Sequence, residues 1–131
     1  ETRASIDLNA TTTGPPQFEF WMRTPAVDQE LAPVLTAYAT DLTLIGTALR
    51  PVEGLSQADS TGRLATAVTT HSLSFHRPFR VDDWLLVVQR APVLAGGRAY
   101  GRGDVFAGDA LVASFTQESM IRVTDGARHR M

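Results

Sequence analysis

Two different periods divide this chain. Leu31, Val34, Leu35, Tyr38, Leu42, Ile45 and Leu49 recur at steps of three and four residues, which lines one stripe of an α-helix about five turns long. The helix can start with Asp28 as its cap or nearer Ala32, where Pro33 suits the first turn, and it ends at Arg50 before Pro51. After the polar loop from Val52 to Gly62 the period becomes two. That alternation predicts strands at Leu64 to Phe75, Trp84 to Ala91, Arg98 to Phe106 and Leu111 to Val123, with turns at Gly96-Gly97 and Gly108-Asp109. The last two strands read as a hairpin. A shorter strand precedes the helix, where Phe18, Phe20 and Met22 alternate with Glu19, Trp21 and Arg23 up to Thr24-Pro25.

One strand, one long helix and four antiparallel strands give an α+β domain, in which a curved antiparallel sheet wraps the helix and covers its apolar stripe. Residues 1–16, which mix Ser, Thr, Asn and Gly with two prolines, read as an irregular arm or linker, and residues 17–131 as a single domain. Two polar residues are out of place in this pattern. Gln117 interrupts the row Leu111, Ala113, Phe115, Ser119, Ile121 on one face of the last strand, so it is expected to point inward. A buried carboxamide without partners costs about 1–3 kcal/mol, so Gln117 must find hydrogen bonds from protein, water or a ligand. Asp41, three residues after Tyr38 and four before Ile45, falls at the margin of the helix stripe, from where a carboxylate can reach the sheet. The pattern leaves open whether Asp41 simply meets water and Gln117 simply meets backbone.

Composition narrows the function classes. With 131 residues, 44% hydrophobic and 20% charged, the chain has the balance of an ordinary globular domain with room for one core. A net charge of -2 with scattered arginines lacks the basic stripe that nucleic acid requires. The absence of cysteine rules out disulfides, thiolate metal sites and a cysteine nucleophile. No apolar run approaches the roughly 20 residues of a membrane helix, and no signal-peptide pattern opens the chain, so a cytoplasmic protein without membrane contact is expected.

The order of motifs is more specific. His71-Ser72-Leu73-Ser74-Phe75-His76-Arg77-Pro78-Phe79-Arg80, followed by Asp82-Asp83-Trp84-Leu85-Leu86, resembles a block of the type II acyl-CoA thioesterases. Tyr38-Ala39-Thr40-Asp41, Gly97-Arg98 through Arg102-Gly103, and Leu111-Val112-Ala113-Ser114 through Gln117-Glu118 are similar to further segments of that family, in the same order. The resemblance runs from about Phe18 to Arg122 and implies a hot-dog fold, matching the second repeat of a double-hot-dog enzyme. It also implies hydrolysis of fatty acyl-CoA by a water held between a helix Asp, a strand hydroxyl and a last-strand Gln. Asp41 and Gln117 match two of these positions. A carboxylate can take the water's proton, and an amide can orient it. The hydroxyl position falls on Val68, which cannot bind water. Thr66 and Thr70, two residues to either side, are expected to share its face and supply the hydroxyl, while Thr69 points away.

No cofactor and no metal are expected. His71 and His76 are five apart on one strand and face opposite sides. Arg77 is expected to shape the strand exit. Gly96-Gly97-Arg98 and Gly101-Arg102-Gly103 do not precede a helix, so they are no phosphate loop, although Arg98 and Arg102 are candidates to meet CoA phosphates. No serine sits in a nucleophile-elbow motif. A hot-dog hydratase would resemble this chain but pair the helix Asp with a His about five residues later, where Gly46 stands. The other rival is a noncatalytic hot-dog domain that only pairs or binds acyl thioesters, for which Val68 is the best evidence. Either way the expected partner is another hot-dog domain, in a homodimer or a double-domain protein, because pairing covers exposed sheet edges.

Overall fold

A computed structural model of the chain describes residues 1–123, so the end of the expected domain, 124–131, lies outside the described residues. Among the described residues, strands β1 (Thr2–Arg3), β2 (Gln17–Met22), β3 (Leu64–Phe75), β4 (Leu85–Ala95), β5 (Arg98–Ala107) and β6 (Ala110–Val123) form one antiparallel sheet in the order β1-β2-β4-β5-β6-β3. Two helices, α1 (Ala32–Thr40) and α2 (Leu44–Leu49), lie between β2 and β3, so the α+β arrangement is the expected one. Alternation sets the faces. Phe18, Phe20 and Met22 of β2, Leu85 and Val87 of β4, Val105 of β5 and Phe115 of β6 are buried together, while Glu19, Trp21, Arg90 and Arg102 face out. The β4–β5 turn at Gly96-Gly97 has φ of +60° and +74°, a geometry that glycine adopts without strain and that matches the twist of a tight hairpin.

Glycines on the inner face of β5 let the helix and the last strand come close. A Cβ on Gly101 would stand 2.6 Å from Leu44 Cδ2, and one on Gly103 would stand 2.3 Å from Phe115 Cζ. The Gly-Arg-Gly sequence is therefore a packing device, with its arginine turned outward.

Three features differ from the sequence expectations. The helix is interrupted at Asp41–Thr43, and its N-terminal half is turned over. Leu31, Val34, Tyr38 and Leu42 of the apolar stripe are exposed, whereas Ala32, Thr36 and Thr40 are buried against the sheet. The threonines tolerate burial because Thr36 Oγ1 donates to the Ala32 carbonyl at 2.8 Å and Thr40 Oγ1 to the Thr36 carbonyl at 2.9 Å, bonds that also bend helices. Secondly, β4 runs on to Ala95, with Pro92 inside a register shift between Arg90 and Val93, where the ladder does not need its missing N–H. Thirdly, the N-terminal arm is partly ordered into the fold: Thr2 and Arg3 pair with Met22 and Trp21, and Leu8 is buried in the core.

Candidate functional site

The row that placed Gln117 inward is present. Ala113, Phe115, Gln117, Ser119 and Ile121 of β6 are all buried, and Gln117 is 1% exposed. Leu111 is only partly buried, because a register shift beside Phe106 turns Val112 inward as well. Gln117 lies opposite Gly101 on β5 and His71 on β3. Its Nε2 donates to Ser119 Oγ at 3.3 Å, and among the described residues its Oε1 meets no hydrogen-bond partner. A buried acceptor in that state is costly unless a bound molecule satisfies it.

His71 closes the site from β3. A bulge between Val68 and Thr70 inserts one residue into that strand, which reverses the alternation that follows it. His71 therefore turns inward, 5.9 Å from the Phe115 ring by centroids. Its Nε2 lies 3.0 Å from Thr40 Oγ1, and its Nδ1 lies 3.9 Å from Asp41 Oδ1. Thr40 Oγ1 also bonds the Thr36 carbonyl, so His71 is held at its Nε2 edge with Nδ1 turned toward Asp41. The carboxylate side chain is 42% exposed, so it keeps its hydration on one side while the other faces the histidine.

The interruption of the helix is what places Asp41. It caps α1, and the chain then turns before α2 begins at Leu44. A buried carboxamide on β4 fixes that turn: Gln89 Nε2 donates to Thr43 Oγ1 at 2.8 Å and to Thr47 Oγ1 at 3.0 Å. Beside α1, an apolar cleft of about 370 Å³ runs between the helix and β2, lined by Phe18, Phe20, Met22, Leu35, Ala39 and Leu85.

The structure thus brings Asp41 and Gln117 to either side of His71. The two threonines fare differently from expectation. Thr66 faces Ile121 and bonds the Ser60 carbonyl at 3.4 Å, whereas Thr70 pairs with exposed Glu118 on the outer face, because the bulge breaks the two-residue parity that was to carry both hydroxyls inward. Val68 stands opposite Ser119. Arg98 and Arg102 lie on the outer face of β5, on the other side of the sheet from Gln117. His76 leaves the strand on the side opposite His71, bonding Ser114 Oγ at 3.0 Å. Sequence reasoning passed over His71, Thr40, Ser119 and Gln89 as site residues. Gln89 was detectable, since it breaks the row Leu85, Val87, Ala91 as Gln117 breaks its own.

A single antiparallel sheet laid over a central helical segment is the hot-dog fold, which the chain shares with solved thioesterases. The chain belongs to the acyl-CoA thioesterase C-terminal domain family, which it matches over residues 2–121. It is similar to acyl-CoA thioesterase 2 of Haemophilus influenzae, with 34% identity over 110 residues, covering 80% of this chain and 37% of that protein. It is also similar to acyl-coenzyme A thioesterase 8 of Rattus norvegicus, with 31% identity over 120 residues, covering 88% of this chain and 36% of that protein. Among solved structures, the acyl-CoA thioesterase II TesB2 from Mycobacterium marinum superposes with a TM-score of 0.72 at 32% identity, covering 96% of this chain and 50% of that one. The chain spans about a third of the length of the curated relatives it matches.

Proposed function

We propose that this domain carries the hydrolytic site of an acyl-CoA thioesterase, in which Asp41 and Gln117 hold the attacking water. The observation that supports this most directly is the buried Gln117 Oε1, without a partner among the described residues, on the same inner face as His71, whose Nδ1 lies 3.9 Å from the Asp41 carboxylate. In this reading the water lies between Gln117 Oε1 and the carboxylate, each of which can accept one of its protons. Asp41 takes one proton as the water oxygen forms its bond to the thioester carbonyl carbon. The tetrahedral species then collapses by breaking the C–S bond, and the proton on Asp41 passes to the departing thiolate. The products are a carboxylic acid and free CoA, with no covalent enzyme intermediate. The apolar cleft beside α1 has the lining that an acyl chain requires.

A second hot-dog domain completes the site in this reading. Leu31, Val34, Tyr38 and Leu42 of the helical segment and Val68 and Phe75 on β3 are exposed, and among the described residues β3 is an open sheet edge. A partner laid over them buries an apolar patch and shields the water from bulk solvent. A cytoplasmic setting accords with a fold that uses no disulfide.

Val68 favours one rival, a noncatalytic pairing domain, and a single experiment separates the two. Release of free thiol from short, medium and long acyl-CoAs is measured for the intact protein and for Asp41→Asn. Loss of a general base lowers turnover by about 10²–10⁴-fold, with the thermal midpoint unchanged. Equal rates in both proteins would refute the role of Asp41, and no release from a folded, assembled protein would leave the pairing domain.

A further inference from the structure

We infer that Ser119 supplies the hydroxyl contact to the hydrolytic water that β3 does not provide, which makes it a catalytic residue of this chain. The inference rests on the thioesterase reading above and adds the group that completes it. The two groups assigned to the water both accept: the Asp41 carboxylate and Gln117 Oε1. A water that points its protons at both of these needs a donor for one lone pair while the other faces the carbonyl carbon. The hydroxyl protons nearby are mostly committed. Thr40 donates to the Thr36 carbonyl at 2.9 Å, Thr66 to the Ser60 carbonyl at 3.4 Å, and Thr69 to the Glu118 carbonyl at 3.1 Å.

Ser119 differs from all of these. It is 3% exposed, two residues from Gln117 on the same inner row, and its oxygen receives the Gln117 Nε2 proton at 3.3 Å. That bond uses Ser119 Oγ as an acceptor and leaves its proton free to be aimed beside the Gln117 carboxamide. The residue directly across the ladder from Ser119 is Val68. Cross-strand Cβ atoms of such a pair lie about 4.5–5.5 Å apart, so a hydroxyl on either residue reaches one common site. The two strands have exchanged roles, with β3 contributing methyl groups and β6 the hydroxyl.

The test uses the intact protein with a saturating acyl-CoA, following thiol release and thermal midpoint together. Ser119→Ala is expected to lower kcat by about tenfold or more, with KM nearly unchanged. Ser119→Thr retains activity, and the double variant Ser119→Ala, Val68→Thr regains most of it, because the hydroxyl returns from the opposite strand. A residue that merely supported the amide would not be rescued from Val68. If Ser119→Ala does not fold, Ser119→Gly removes the same hydroxyl with less bulk and is read in the same way. A Ser119→Ala protein with wild-type kcat, beside an inactive Asp41→Asn, overturns the assignment while the thioesterase reading stands. Absence of thiol release from the wild type itself overturns both.

Discussion

The two halves of the helical segment treat the same kind of sequence in opposite ways. In α2 the apolar residues Leu44, Ala48 and Leu49 are buried against β4 and β5, and Gly101 gives up its side chain to admit Leu44. In α1 the large residues Val34 and Tyr38 are 65% and 69% exposed, and small or hydroxyl side chains face the sheet instead. Thus α2 buries its apolar residues within this chain, whereas α1 leaves its large side chains in solvent. Asp41 sits at the junction, where one side of the helix is committed to the sheet and the other is open.

That contrast can be broken in measurable steps. The largest effect is expected in α2, where Leu49→Ala, at a fully buried position, costs about 2–5 kcal/mol of stability; a denaturant midpoint close to wild type would mean that the helix packs elsewhere. Gly101→Ala forces a methyl into Leu44 and is expected to cost about 1–3 kcal/mol, read as a lower midpoint at unchanged slope. Gln89→Leu removes the bonds to Thr43 and Thr47 that hold the junction, taking a donor from both hydroxyls although Thr47 keeps its bond to the Thr43 carbonyl, for a loss of about 1–3 kcal/mol. Turnover should fall along with it as Asp41 loses its position, so a destabilised but fully active variant would separate the junction from the site. The smallest effect on the chain itself is expected in α1: Val34→Asp or Tyr38→Asp changes stability by no more than about 0.5 kcal/mol. Sedimentation should nevertheless show the assembly weakened, and an unaltered mass would show that this face is not the one covered.

Much of the fold was legible because its strands are amphipathic. The alternation in β2, β5 and β6 marked both their extent and their faces, and the break in the last row identified Gln117 as a buried amide before any contact was visible. The same signal at Gln89 carried as much information. Asp41 was legible as a marginal position, although its surroundings were not. What failed was parity across β3. Counting by twos put Thr70 beside Val68 and left His71 unassigned, and one inserted residue near Thr69 exchanged them.

Local periodicity therefore determined which segments are strands, which residue interrupts each apolar row, and that a helical segment connects β2 to the rest. These properties depend on neighbours within a few residues along the chain. Tertiary structure alone decided which side of α1 meets the sheet, where the helix breaks, that the β3 bulge turns His71 inward, and that Val68 faces Ser119 across the ladder. Each of those is a fit between segments far apart in sequence. A helix that is apolar on one side and lined with small, self-satisfied hydroxyls on the other can pack either way, and a bulge exists only in relation to the strand it pairs with.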